Sequence, residues 1–193
     1  MVLCSRIGPY RLYTFDLERL APNRELESEV INAYLTLLTI SHNSVATTKA
    51  AVLDTFQLMS IWSRTAQRMR KLDPMDFDIL IGALNKGNHW IFVAMYPKEG
   101  RVLYLNSLGE TSSELKMCQQ RTRLFMELQG HQLPQWRCQT LPHPQQMDGT
   151  SCGVFVCKFA EFVLRGEPIT FSSEGPAINR FRREIALMLL RKD

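Results

Sequence analysis

Residues 77–105 restrict the fold more than any other stretch of this chain. Phe77-Asp78-Ile79-Leu80-Ile81-Gly82-Ala83-Leu84 is an apolar run of strand length, and Asn85-Lys86-Gly87-Asn88 is a turn. His89-Trp90-Ile91-Phe92-Val93-Ala94-Met95-Tyr96 is a second run, and Pro97-Lys98-Glu99-Gly100 turns the chain into a third, Arg101-Val102-Leu103-Tyr104-Leu105. Connections this short make consecutive strands antiparallel neighbours, because parallel pairing needs a crossover of about a dozen residues or more. The core is therefore expected to be an antiparallel sheet.

Helical patterns surround it. From Asn23 onward Leu26, Val30, Tyr34, Leu37 and Leu38 recur at helical spacing, with Glu25, Glu27 and Glu29 in the first turns, and the helix is expected to end near Ser41-His42-Asn43-Ser44. Residues 10–15 read as an edge strand and 16–20 as a single helical turn. Residues 46–62 fit helix and strand equally, and 63–72 read as a basic helix stopped by Asp73-Pro74. Residues 111–128 form an amphipathic helix and 136–140 a short strand with Trp136 and Cys138 on one face. Residues 176–191 read as a surface helix with Ile178, Phe181, Ile185, Met188 and Leu189 inward and arginines outward. Helices before and after a mainly antiparallel sheet define an α+β fold. With 193 residues and 45% hydrophobic content, the chain is expected to form one domain over 1–193, with residues 1–9 poorly ordered.

Composition excludes several classes of function. The net charge is only +4, and the basic clusters at 64–71 and 180–192 lack interleaved aromatic residues, which argues against nucleic acid. No run of about 18 apolar residues stands anywhere, and the N-terminus lacks the apolar stretch of a signal peptide, so no membrane is implied. The five cysteines are irregularly spaced, with no Cys-x-x-Cys pair and no metal-ligand spacing; metal and cofactor are both expected to be none. Reduced thiols are the expectation, which implies an intracellular protein; nucleus or cytoplasm is the expected compartment and a monomer the expected state.

The chemistry concentrates in Gln145-Gln146-Met147-Asp148-Gly149-Thr150-Ser151-Cys152-Gly153. A loop of small residues delivers Cys152 to the first position of an apolar helix, 154–163, closed by Gly166. A thiol at a helix N-terminus feels the positive end of the dipole, which lowers its pKa and prepares a nucleophile. The same free N–H groups, with the Gln146 amide, offer an oxyanion site, and Gly153 leaves room for an acyl group. The competing reading is a small apolar cysteine capping a helix. Only a partner base separates the two.

His89 is placed to be that base. It opens a strand just after a turn, whereas His42, His131 and His143 lie in polar, loop-like surroundings where a solvated histidine is the default. The next strand ends in Leu105-Asn106-Ser107. In a hairpin the start of one strand faces the end of its partner, so Asn106 is in place to accept a hydrogen bond from the imidazole and fix its tautomer.

With His89, Trp90, Asn106, Gln146 and Cys152 in this order, the chain resembles the SUMO-specific (sentrin-specific) proteases of the ubiquitin-like protease family. Those enzymes carry a His-Trp pair on one strand, an Asp-Ser pair ending the next and a Gln six residues before a Cys-Gly. Glu29-Val30-Ile31-Asn32-Ala33-Tyr34, Phe159-Ala160-Glu161 and Pro168-Ile169-Thr170-Phe171 extend the likeness across nearly the whole chain. The resemblance implies an adenovirus-protease or papain-like cysteine-peptidase fold. It also implies Cys152 as nucleophile, His89 as general base and acid, Gln146 as oxyanion donor and Trp90 as one wall of a tunnel for a modifier's Gly-Gly tail. The reaction implied is hydrolysis after that tail, in deconjugation or precursor processing, with SUMO or another ubiquitin-like protein and its conjugates as partners.

Two features depart from the family. Asn106 replaces its aspartate, and a neutral amide orients imidazole without stabilising imidazolium by charge; papain-like enzymes nonetheless work with Cys-His-Asn. Glu25 stands where the family has a tunnel-wall tryptophan, and Ser28 replaces an acidic residue that helps bind the modifier. These departures keep a second reading open, a pseudoprotease that binds a ubiquitin-like protein without cutting it. A third reading, an acyltransferase on the same scaffold, lacks a phosphate-cradling glycine loop for its donor.

Overall fold

The computed structural model describes residues 2–63 and 66–192. The chain opens with an antiparallel hairpin of β1 (Leu3–Ile7) and β2 (Tyr10–Tyr13). Ile7 and Leu12 are buried, and Ser5 Oγ donates to the Leu189 carbonyl at 2.6 Å. The first residues, expected to be poorly ordered, are thus tied to the end of the chain. A helical turn, α1 (Thr14–Glu18), follows.

The next helix, α2 (Ser28–Val45), begins later than the spacing predicts. Leu26 is buried in an extended segment whose carbonyl accepts the Trp90 indole N–H at 2.9 Å, a bond that the helical conformation would divert. At the far end the helix stops at Val45, close to its expected end. Asn43 exchanges two hydrogen bonds with the backbone of Ala50, both at 2.8 Å, so a polar stretch is satisfied while still helical.

The ambiguous 46–62 stretch resolves into both alternatives: a strand, β3 (Ala50–Leu53), then a helix, α3 (Thr55–Trp62), which starts at a capping box formed by Asp54 and Gln57. The basic helix expected at 63–72 is absent from its described part. Residues 66–72 are irregular apart from a turn, with Met69 and Leu72 packed against the core and no apolar stripe to hold a helix there. Arg64 and Thr65 lie outside the described residues.

Three strands follow as expected: β4 (Ile79–Asn85), β5 (Trp90–Tyr96) and β6 (Arg101–Leu105), antiparallel throughout. Then come α4 (Ser112–Leu128), β7 (Arg137–Gln139), α5 (Cys152–Arg165) and α6 (Gly175–Arg191). The sheet order is β3-β4-β5-β6-β7, with β3 parallel to β4 and β7 parallel to β6. The sheet is therefore mixed, antiparallel in the centre and parallel at both edges, because each edge strand reaches its place through a helix rather than a hairpin.

Both faces of the sheet are covered, which explains the unbroken apolar runs. Ile79, Ile81, Ala83, Phe92, Ala94, Leu103 and Leu105 face α2, α5 and α6. The alternate residues Leu80, Leu84, Ile91, Val93, Met95, Val102 and Tyr104 face α3 and α4. Gly82 is required by the tight β3 pairing, where a Cβ would lie 2.5 Å from the Leu53 carbonyl oxygen. No helix among the described residues is long and apolar enough to cross a membrane.

Candidate active site

Cys152 is the first residue of α5, buried in the core between the sheet and α2, α5 and α6, and the helix closes on Gly166 in the left-handed conformation. The loop before it is tightly held. The Asp148 carboxylate accepts the backbone N–H groups of Thr150 (2.7 Å) and Ser151 (2.8 Å) and the Ser151 hydroxyl (2.8 Å). From α6, Arg182 donates to the Thr150 carbonyl and Ser151 Oγ, and also to the Arg19 and Ala21 carbonyls, each at 3.3 Å. Arg182 is 1% exposed, so it does not belong to the outward arginine face expected for this helix. Its charge lies near both Asp148 and Cys152.

Burial is the largest influence on the Cys152 thiol and pushes its pKa above the ordinary cysteine value. The backbone N–H groups of Trp90, Gly153 and Cys152 pull the other way, and the Glu25 carboxylate adds to the rise. In the resting protein desolvation thus outweighs the helix terminus, the reverse of the balance expected from sequence. The contact with the Trp90 N–H also places the sulfur against the residue that follows His89.

His89 sits between a left-handed Gly87-Asn88 turn (φ +57 and +62) and β5. Its Nε2 lies 2.8 Å from Asn106 Oδ1. That oxygen also accepts the Leu108 backbone N–H at 3.0 Å, which fixes it as the amide's acceptor. The imidazole therefore carries its proton on Nε2, and Nδ1 is left to exchange one. Asn106 is buried at the end of β6, as the hairpin argument requires.

Gln146 is held at three atoms. Its backbone N–H donates to the Ser107 carbonyl (2.7 Å), its Oε1 accepts the Ser107 hydroxyl (2.8 Å), and its Nε2 donates to the Asp148 carbonyl (2.6 Å). An amide nitrogen has two hydrogens, so one remains for a ligand.

Trp90 is buried, its indole tying β5 to the segment before α2. Glu25 is exposed beside the thiol. The Ser28 hydroxyl donates to Glu29 at 2.7 Å at the start of α2. Gly153 has a different reason from the one expected: a Cβ there would lie 2.8 Å from Leu26 Cβ and 3.1 Å from Ile31 Cδ1, so it permits close helix packing.

The structure corrects one further assignment. His143, expected to be a solvated loop histidine, has its side chain largely covered and paired with Glu110 at 2.8 Å, its ring edge-on to Phe159. No sequence signal separated it from His42 and His131, because its partner lies 33 residues away.

With this geometry in view, relatives can be compared. Residues 24–192 match the Ulp1 protease family, C-terminal catalytic domain. The chain belongs to that family. Rattus norvegicus sentrin-specific protease 2 is 25% identical over 191 residues, which cover 93% of this chain and 32% of that protein. The Arabidopsis thaliana ubiquitin-like-specific protease ESD4 is 27% identical over 197 residues, covering 92% of this chain and 40% of the relative. The chain thus spans about a third of the length of the first of these relatives.

Among solved structures, the SUMO protease Ulp1 with its catalytic cysteine oxidised to a sulfenic acid superposes with a TM-score of 0.81 at 22% identity, covering 98% of this chain and 88% of that one. The C-terminal Ulp1 protease domain in complex with Smt3, the yeast ortholog of SUMO, gives 0.81 at 19% identity, covering 99% and 88%. The α+β architecture is therefore the Ulp1 family's cysteine-peptidase fold.

Proposed function

We propose that this chain is a thiol isopeptidase that hydrolyses the bond after the Gly-Gly tail of SUMO or a related ubiquitin-like modifier. The observation that supports the reading is the Cys152 sulfur against the Trp90 and Gly153 N–H groups, Trp90 directly following a histidine whose ring is hydrogen-bonded to Asn106. Cys152 is the nucleophile and His89 the base. As His89 Nδ1 takes the thiol proton, the thiolate–imidazolium pair lowers the cost of ionising a buried sulfur.

The sulfur attacks the C-terminal glycine carbonyl. The oxyanion then meets the backbone N–H groups at the start of α5 and the remaining Gln146 amide hydrogen. The imidazolium protonates the departing lysine amine, the C–N bond breaks and a thioester remains. A water activated by the same imidazole hydrolyses the thioester and returns the free thiol. Trp90 and Glu25 flank the approach of the Gly-Gly tail, and Ser28 belongs to the surface that meets the modifier's folded body.

The same reading takes residues 1–193 as one catalytic domain, acting as a monomer in nucleus or cytoplasm; five free cysteines support a reducing compartment. The experiment is single-turnover cleavage of SUMO fusions, SUMO–lysine isopeptides and the corresponding ubiquitin substrates. Cleavage of SUMO substrates at the Gly-Gly bond is expected. Modifier binding without cleavage would replace the isopeptidase with a pseudoprotease.

A further inference from the structure

His143 and Glu110 form a partly buried pair that the reaction above does not use. Their side chains are 4% and 11% exposed, and Nε2 lies 2.8 Å from Glu110 Oε1. The same carboxylate oxygen accepts the backbone N–H of Asn106 at 2.8 Å. On its other side, His143 Nδ1 faces the Pro144 carbonyl at 2.9 Å. Both ring nitrogens therefore face oxygens that only accept, since an ionised carboxylate and a carbonyl have no proton to give. The contacts are satisfied together only when the ring is an imidazolium.

The placement gives the pair a purpose. Segment 143–146 runs antiparallel to segment 106–110 and is joined to it at both ends, by His143 to Glu110 and by Gln146 to Ser107. One segment carries the group that orients the base and the other the oxyanion donor. Resting on the isopeptidase reading, we infer that His143 and Glu110 are positioning residues, a charged latch that keeps Asn106 and Gln146 in register on the two sides of the cleft.

The latch is pH-dependent. Burial alone would lower the His143 pKa, but hydrogen bonds to Glu110 and the Pro144 carbonyl leave it raised. Burial likewise opposes ionisation of Glu110, and the bonds from His143 and Asn106 hold that carboxyl below its usual range. The other groups around the pair are Cys138 of β7, which feels the Glu110 charge, the uncharged Phe159 ring of α5, and Ile169, Thr170 and Phe171, which share a cavity with His143. Because the folded pKa of His143 is raised, the latch is complete below the ordinary histidine value of about 6.5 for as long as the Glu110 carboxyl stays ionised. It opens as pH rises through the raised value.

Three variants test it by single-turnover cleavage of a SUMO fusion across pH. Glu110→Gln and His143→Ala should lower kcat about tenfold with KM within about twofold. His143→Gln keeps a donor toward Glu110, so it should restore most of kcat and abolish the alkaline limb. Parental kcat and parental pH profile in Glu110→Gln and His143→Ala would overturn the latch. A second readout does not need cleavage: ¹⁵N NMR of the intact chain should show a His143 imidazolium titrating above about 6.5. It should also show Asn106 and Gln146 amide resonances displaced in both of those variants. A neutral ring at lower pH, or unmoved amides, would overturn the latch even in a chain that cuts nothing. Absence of cleavage by the parent protein would instead count against the isopeptidase reading.

Discussion

The two sides of the proposed active site are built on different terms. On the side of the proposed nucleophile, Cys152 opens a nearly buried helix, and its loop is fixed by Asp148 and by an arginine from the last helix. On the side of the proposed base, His89 stands at the mouth of a left-handed turn, and one neutral amide orients it. Packing determines where the sulfur is; a single hydrogen bond determines which nitrogen of the histidine is protonated. Substitutions around the first should therefore change stability and rate together, whereas those around the second should change rate with the fold left intact.

The largest effect tests the contrast at its extremes. Cys152→Ala should lower turnover by at least about 10⁴-fold and, because the sulfur is buried, also lower the thermal unfolding temperature, whereas His89→Ala should lower turnover by about 10³-fold with an unfolding temperature close to that of the parent. Unfolding of the His89 variant would erase the distinction, because it would make the base side structural as well.

Next in size, Asn106→Asp should raise kcat by about ten- to a thousandfold. A carboxylate stabilises the imidazolium through attack and leaving-group protonation, while the thiolate already shares part of that task. Stopped-flow measurement at matched folding checks it. Substantial parental activity with little gain would make this a Cys-His-Asn enzyme in its own right.

On the other side, Arg182→Met should cost about 3 kcal/mol in denaturant unfolding, since it strips a buried charge from four oxygens around the loop and the α1 end. A neutral result would mean that Asp148 alone holds the loop. The smallest effect belongs to Glu25. Its charge disfavours the thiolate, so Glu25→Gln should lower the Cys152 pKa and speed alkylation by iodoacetamide about two- to fivefold at neutral pH. The gain should shrink in high salt, because Glu25 is exposed.

The same contrast marks what could be read without coordinates. The sheet centre was legible because short turns leave antiparallel pairing as the only outcome; the start of α5 at Cys152 and the His89–Asn106 hydrogen bond were legible because a turn-rich loop precedes an apolar helix and because one strand's start faces its partner's end. The missed features depend on partners distant in sequence. Ser5 meets Leu189 across 184 residues, and Arg182 reaches the Arg19 carbonyl across 163. A buried arginine and a largely covered histidine look like surface residues until those partners are known. The parallel edges were missed for a related reason: helices on the chain's two flanks, rather than local turns, deliver β3 and β7 to the sheet. The thiol's raised pKa was missed because helix position is visible in sequence and depth of burial is not.

The most direct test of the isopeptidase account is to incubate the intact chain with SUMO carrying an electrophile at its C-terminus and to map the adduct by peptide mass. One SUMO per chain, attached at Cys152 and lost in Cys152→Ala, is the predicted result. An adduct on Cys4, Cys118, Cys138 or Cys157, or a chain that binds SUMO and forms none, would contradict it.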